Sequence, residues 1–208
     1  MNAPLLQLML LGFGAGLTLI VAIGAQNAYL LRLGVEGRGR VLVTVVLICA
    51  FSDAILIGAG VAGIGAVIDA APAAVDVVRV LGAVFLISYG VMAARRALDP
   101  QAMTVDESPA EASMRVVVLT TLAFTWLNPH VYLDTVMLLG SVANQQGETG
   151  RWWWALGAAT ASFTWFFLLG YGARLLRPLF AKPAAWRVLD GLIAVVMIAL
   201  GTGLIIGL

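Results

Sequence analysis

Amide, carboxylate and imidazole side chains interrupt the apolar stretches of this 208-residue chain in three places. Gln26 and Asn27 lie inside the run LIVAIGAQNAYLLRLG, and each amide has donors and acceptors that hydrocarbon cannot satisfy. Asp53 lies in a second apolar run, and His130 and Asp134 lie in a third. Together these groups can bind a polar or cationic ligand, or they can satisfy one another as structural polar groups.

The composition predicts that the surroundings of these groups are lipid. Hydrophobic residues make up 62% of the chain and charged residues 11%, with a mean hydropathy of +1.00, whereas a soluble domain carries about 25% charge. The net charge of +1 excludes a strongly basic nucleic-acid surface. One Cys and one His cannot form a zinc-ligand set, and the chain carries no enzyme signature, so we expect no cofactor, no metal and no catalytic residue.

Six apolar stretches are long enough to be membrane spans, since crossing about 30 Å of hydrocarbon takes roughly 20 residues. In order, these predicted spans cover residues 5–31, 41–68, 77–97, 114–141, 152–173 and 188–208.

The distribution of Lys and Arg predicts the orientation of these spans. Cytoplasmic loops carry an excess of cations. The loops after spans one, three and five hold ten of them: Arg32, Arg38, Arg40, Arg95, Arg96, Arg115, Arg174, Arg177, Lys182 and Arg187. The opposite side holds only Arg79 and Arg151. Both termini are therefore predicted to face outward, away from the cytoplasm.

The two halves of the chain resemble each other in sequence. FSDAILIGAG in span two matches FTWFFLLGYG in span five, and spans three and six begin with the same RVL triplet. The predicted repeats are residues 1–97 and 114–208, joined by a cytoplasmic linker at 98–113. Three spans in each half place the repeats upside down relative to one another, an arrangement typical of transporters. In this register Trp165 occupies the position of Asp53, where it can face a cation or simply pack in the core.

Two spans are predicted to be broken near the middle of the membrane. In span four, Asn128 can cap a new helix and Pro129 suits its first position, because the missing N–H would be unpaired there anyway. In span one, we expect Gly24 to end a first half-helix and Asn27 to cap a second. The structural alternative is a simple proline kink in span four, with Gln26 and Asn27 joining helices through hydrogen bonds.

The ionisable residues inside the spans need a partner or a task, because an acid at mid-span costs about 2.5–3.5 kcal/mol on insertion scales. The structural alternative for Asp53 is an ion pair with Arg95 or Arg96. His130 and Asp134 share one face of an α-helix at their spacing, so they can contact each other. Their structural alternative is a satisfied polar pair facing the other helices.

Small and aromatic residues predict helix contacts and the membrane boundary. The glycines of GFGAG at 12–16 and of GAGVAGIG at 58–65 favour close helix packing. Trp152, Trp153 and Trp154 are typical of an aromatic belt at the outer interface.

Three strings carry a resemblance to a known family: GFGAGLTLIVAIGAQNAYLLRLG, FSDAILIGAGVAGIG and TWLNPHVYLDTVMLLGS. They resemble the lysine exporter (LysE) family, in its branch that exports basic amino acids. The sister homoserine and threonine exporters carry Pro-Gly-Pro in span one and Asn-Pro-Lys in span four, and this sequence departs from both. The resemblance implies a proton-motive-force-linked exporter of lysine or arginine in the bacterial inner membrane. The implied partners are the basic amino acid and the lipid bilayer, with a homo-oligomer left open.

The predicted cavity contains acids and no Lys or Arg, so its field favours a cation. Asp53 and Asp134 can face the cationic groups of a basic amino acid, while half-helix N-termini at Asn27 and Asn128 can hold its carboxylate. The predicted substrate-binding residues are Gln26, Asn27, Asp53, Asn128, Pro129, His130, Asp134 and Trp165. Export of other amino acids or of small cationic metabolites stays open as an alternative. Two other classes also stay open, a passive channel for small solutes and a membrane scaffold that transports nothing.

The predicted topology can be tested with reporter fusions. Because most of the cations fall on one side, fusions at the C-terminus should report an outside location and fusions in the 98–113 linker a cytoplasmic one. A cytoplasmic C-terminus would reject the six-span arrangement.

Overall fold

Helices form every regular element of the computed structural model, which describes residues 3–21, 24–37, 39–63, 72–98 and 114–206. In chain order they are α1 (Ala3–Ile20), α2 (Ala25–Glu36), α3 (Gly39–Val61), α4 (Pro72–Leu98), α5 (Met114–Trp126), α6 (Pro129–Val131), a π-helix (Tyr132–Leu139), α7 (Gly140–Asn144), α8 (Gly147–Gly172) and α9 (Pro183–Ile206), with 3₁₀ turns at Ala173–Leu176 and Leu179–Ala181.

The all-helical membrane class is confirmed. Within the described ranges, Gly39–Val61, Asp76–Leu98 and Pro183–Ile206 are each long and apolar enough to cross a membrane, and α1 with α2 gives a fourth crossing if the bent pair is one span. The arrangement of six spans as two inverted repeats stays a prediction. Residues 99–113 of the predicted linker and the end of predicted span two, 64–68, lie outside the described residues.

The predicted break in span one is present, but its residues have other roles than expected. Helices α1 and α2 are bent by 82° relative to each other. Gly24, with φ −115° and ψ 174°, is the N-cap of α2 and does not end α1. Asn27 lies inside α2, where its Nδ2 donates to the carbonyl oxygen of Ile20 at 2.7 Å. The expected N-cap role of Asn27 is therefore wrong, because its amide satisfies the last carbonyl of α1.

The predicted break in span four is present at the predicted residues. Helix α5 ends at Trp126, and a new helix begins with Pro129 in its first position, where proline's missing N–H removes no intrahelical bond. The Tyr132 hydroxyl donates to the carbonyl oxygen of Trp126 at 2.8 Å. At both breaks, a side chain from the second segment therefore satisfies the last carbonyl of the first segment.

Glycines allow α1 and α8 to pack at close range, as predicted for GFGAG. A Cβ on Gly12 would lie 2.0 Å from the carbonyl oxygen of Trp154, and one on Gly157 would lie 2.0 Å from the carbonyl oxygen of Met9. Close backbone approach of this kind stabilises helix pairs where lipid removes the hydrophobic driving force. Gly14 has no atom within 4 Å of a Cβ built on it, so it faces away from this contact.

Trp154 is not part of an interfacial belt. Its side chain is 2% exposed because it lies in the crossing with α1, whereas Trp152 is exposed and stacks with Arg151 at 5.5 Å. Of the two, only Trp152 can stand at a lipid–water boundary.

Helix α3 lies between α8 and the broken span four. It packs against α8 on one side, and against α5 and the π-helix of predicted span four on another. Gly60 of α3 permits the second contact, since a Cβ there would lie 2.3 Å from the carbonyl oxygen of Val136. This packing places the middle of α3, including Asp53, inside the bundle.

Substitution of the crossing glycines should destabilise the fold. Gly12→Ala or Gly157→Ala should lower the melting temperature in detergent, because overpacking costs about 1–3 kcal/mol. Gly14→Ala is the matched control on the same helix and should melt like the wild type. Equal melting of Gly12→Ala and Gly14→Ala would contradict the close crossing of α1 and α8.

Candidate functional site

Asp53 lies buried on α3 and is 6% exposed. Its Oδ2 accepts a hydrogen bond from the Ser162 hydroxyl of α8 at 3.2 Å. Within the described part of the chain no cation pairs with it. The alternative pairing with Arg95 or Arg96 is wrong, since Arg95 is exposed and Arg96 bonds to Asp190. The carboxylate therefore has a hydroxyl partner but no compensating charge.

Trp165 and Asn27 connect α8 to the second half of the broken span. The indole Nε1 of Trp165 donates to Oδ1 of Asn27 at 3.2 Å. Trp165 follows Ser162 by three residues, so both lie on one face of α8. Asp53 and Asn27 are thus held by neighbouring turns of the same helix.

Gln26 extends the cluster back to α3. Its amide approaches the thiol of Cys49, which lies one turn before Asp53, but its buried Nε2 makes no hydrogen bond within the described residues. Helices α2, α3 and α8 therefore bring together a polar group that we name the Asp53 cluster: Gln26, Asn27, Cys49, Asp53, Ser162 and Trp165.

The predicted site residues of span four lie in the break and in the segment that follows it. Asn128 lies in the break and is partly buried, and Pro129 is buried. Asp134 is exposed at the surface of the helix bundle, so it does not face the other helices as the alternative of a satisfied polar pair expected. The physical reason is the π-helix from Tyr132 to Leu139, because its winding differs from that of an α-helix and faces derived from α-helical spacing do not hold. The side chain of His130 lies outside the described residues.

A hydrogen bond also connects α3 to the break in span four. Trp126 Nε1 donates to the hydroxyl oxygen of Ser52 at 3.2 Å. Ser52 precedes Asp53, and the two side chains point to different neighbours, Ser52 towards α5 and Asp53 towards α8. Of the eight predicted site residues, the structure brings together Gln26, Asn27, Asp53 and Trp165.

Sequence reasoning missed a buried ion network at the other end of α2. Arg32, which was counted as a loop cation, lies on α2 and is 9% exposed. Its Nη1 donates to Oδ1 of Asp190, which also accepts from Nε of Arg96 at 3.1 Å. Nε of Arg32 bonds to Glu36 at 2.9 Å. The available signal was Asp190 itself, an acid inside the apolar start of the last span.

A cavity of about 230 Å³ lies between α2, α8 and α9. Asn27 and Trp165 line it, and its other walls are aliphatic, among them Leu31, Leu169 and Ile193. Aliphatic walls can accommodate an apolar group, but burying an unpaired charged group against them would cost free energy. In the described ranges, no three His, Cys, Asp or Glu side chains are grouped as a metal ion would require.

Comparison with known proteins identifies relatives over almost the whole chain. A protein of Mycobacterium tuberculosis, named only provisionally as an amino-acid transporter, is 48% identical over 88% of this chain and 89% of its own length. The lysine exporter of Corynebacterium diphtheriae is 39% identical over 93% of this chain and 96% of its own. The arginine exporter of Pectobacterium atrosepticum is 37% identical over 88% of each chain.

No solved structure matches the chain. The family model of the LysE type translocators matches residues 17–208, which include the whole Asp53 cluster and both helix breaks. With these relatives, that match establishes that the chain belongs to the LysE family of translocators.

Proposed function

We propose that this protein is a secondary transporter that exports basic amino acids, L-arginine or L-lysine or both, from the cytoplasm across the bacterial inner membrane. The proton motive force drives the export. Relatives named as lysine and arginine exporters support this substrate class. The observation that carries the proposal is the buried carboxylate of Asp53, which lacks a cationic partner within the described residues.

The substrate supplies the positively charged partner that Asp53 lacks within the described residues. A basic amino acid at neutral pH carries two cationic groups and one carboxylate. In this proposal the ammonium or guanidinium group at the end of its side chain binds Asp53. The substrate carboxylate takes donors from the segments that begin at the two breaks, near Gln26 and Asn27 in α2 and near Asn128 and Pro129 in span four. The unpaired Nε2 of Gln26 is one such donor.

Exchange of substrate for a proton follows from the same carboxylate. A single buried acid can hold a proton or a substrate cation, but not both in one geometry. When Asp53 releases the amino acid outside and takes up a proton there, the loaded and unloaded forms of the cluster carry the same charge. Inward release of the proton then frees Asp53 for the next cytoplasmic substrate.

Efflux from dipeptide-loaded cells tests the proposal against both alternatives. Cells that express the protein are loaded with labelled arginine- or lysine-containing dipeptides, and export is measured with and without an uncoupler. A leucine-containing dipeptide and cells without the protein are the controls. We expect saturable arginine or lysine efflux that the uncoupler suppresses. Efflux that neither saturates nor responds to the uncoupler would indicate a channel, and efflux no greater than in cells without the protein a scaffold.

Removing the charge of Asp53 should strongly reduce export without loss of protein. Asp53→Asn keeps the shape of the side chain, and export should fall by about 10- to 100-fold, since a hydrogen bond to a charged group contributes about 1.5–3 kcal/mol. Asp53→Glu should retain part of the activity with an altered pH dependence.

The matched control for Asp53 is Asp76→Asn, which removes an exposed acid paired with Arg79 on α4. Export by this variant should equal that of the wild type. If Asp53→Asn exports arginine and lysine normally, the assigned role of Asp53 is wrong.

The indole N–H of Trp165 should contribute to substrate affinity by orienting Asn27. Trp165→Phe keeps an aromatic ring but removes the donor to Asn27 Oδ1, while the bond from Asn27 to Ile20 is untouched. A lost neutral hydrogen bond of about 0.5–1.5 kcal/mol should raise the KM of export about 2- to 10-fold with unchanged abundance. Trp152→Phe, an exposed Trp of the same helix, is the control, and an equal KM in both variants would contradict this role.

A further inference from the structure

The end of α2 that lies away from the Asp53 cluster is fixed by buried charges. We name Arg32, Glu36, Arg96 and Asp190 the ion network. It joins α2 to α4 and α9 through Oδ1 of Asp190, whose side chain is 1% exposed. Its two arginines and two acids sum to zero formal charge. Breaking one buried partner leaves an uncompensated charge, so the closed network strongly favours the present position of α2.

Four aromatic rings lie between the Asp53 cluster and the ion network. We name Tyr29, Phe85, Tyr89 and Phe124 the aromatic layer. The ring centroid of Phe124 lies 5.1 Å from that of Tyr29 and 4.9 Å from those of Phe85 and Tyr89. The guanidinium carbon of Arg96 lies 5.6 Å from the Tyr89 ring centroid, so the aromatic layer and the ion network are in contact.

The order of these groups along α2 defines a path. Gln26, Tyr29, Arg32 and Glu36 recur at helical spacing, so they occupy one broad face of the helix. This face carries first a member of the Asp53 cluster, then a member of the aromatic layer, then the charges of the ion network. On α4 the aromatic residues likewise precede Arg96. The twelve residues of α2 span about 18 Å.

We propose that the ion network and the aromatic layer are the closed cytoplasmic gate of the transporter, and that movement of α2 opens it. This inference rests on the proposed function, because a gate presupposes a transported substrate. In the predicted topology the ion network lies on the cytoplasmic side of the membrane. The loop after α2, the end of α4 and the start of α9 all carry cations that were assigned to that side. A substrate that displaces α2 at its first turn thereby acts on the gate at its last turn.

Two features of α2 suit it to this movement. It is bounded by Gly24 in extended conformation and by Gly37 at φ +75°, a left-handed conformation that glycine adopts without strain. The ion network is also incomplete, because Oδ2 of Asp190 and Nη2 of Arg96 are buried without hydrogen-bond partners in the described structure. A partly satisfied network costs less to open than a complete one.

The single cysteine of the chain reports the state of this gate. Cys49 is 0% exposed and lies beside Gln26 of α2, so displacement of α2 uncovers its thiol. The experiment measures labelling of Cys49 by a membrane-impermeant maleimide in right-side-out and inverted membrane vesicles. Asp190→Asn removes the negative charge shared by Arg32 and Arg96, and Asp76→Asn, which removes the acid of the exposed pair with Arg79, is the matched control.

We expect Asp190→Asn to raise the labelling rate about tenfold, the change that follows from losing roughly 1.4 kcal/mol of closed-state stabilisation. The rise should occur only in inverted vesicles, where the cytoplasmic face is accessible, and Asp76→Asn should label like the wild type. An unchanged rate, or a rise from both faces or only from the outer face, would overturn the proposal.

If the Asp190→Asn protein does not insert into the membrane, a second variant tests the gate. Arg96→Gln leaves the bond between Arg32 and Asp190 intact, and it should raise cytoplasmic labelling by a smaller factor than tenfold, with Arg79→Gln as its control. No rise in Arg96→Gln would then overturn the gate. Labelling of Cys49 needs no substrate, so it tests the gate separately from transport. Failure of arginine and lysine efflux would reject the proposed function, and the labelling result alone would confirm or reject the movement of α2.

Discussion

The architecture depends on one requirement, that a helix interrupted inside a membrane must satisfy the backbone groups that the interruption frees. Lipid offers no hydrogen bonds, so each unpaired carbonyl would cost several kcal/mol. The chain meets the requirement in the same way twice, with Asn27 donating to Ile20 and Tyr132 donating to Trp126. Each donor comes from the segment after the break and holds that segment in a fixed relation to the one before. Of the polar contacts of the proposed site, the bond between Trp165 and Asn27 depends on a segment positioned in this way, whereas Asp53 and Ser162 lie on the uninterrupted helices α3 and α8.

The extent to which the sequence predicted the structure follows from the range of each interaction. Pro129 predicted a helix start correctly because the missing N–H of proline is a local property. The break near Asn27 was predicted correctly, but Asn27 lies inside α2 and was given the wrong role, since its acceptor on Ile20 depends on a bend that spacing does not reveal. Asp134 was predicted from α-helical spacing to share a face with His130, and the π-helix removed that basis. The partnership of Arg32 and Asp190 joins residues from opposite ends of the chain, and no local pattern indicates it.

The two buried aspartates, Asp53 and Asp190, explain how α2 can contribute both to the proposed substrate site and to the proposed gate. Asp190 lies between two arginines and Asp53 faces a neutral hydroxyl. An ion pair on Asp53 would lower the cost of burying it, but it would also occupy the place that a cationic substrate needs. An unpaired Asp190 would be an uncompensated buried charge, and Arg32 would keep its bond to Glu36 but lose the bond that joins α2 to α9. In the proposed transporter, the charges are therefore paired where the gate must stay closed and unpaired where the substrate supplies the partner. Since α2 contributes residues to both places, the proposed mechanism couples substrate binding at Asp53 to the stability of the ion network through this one helix.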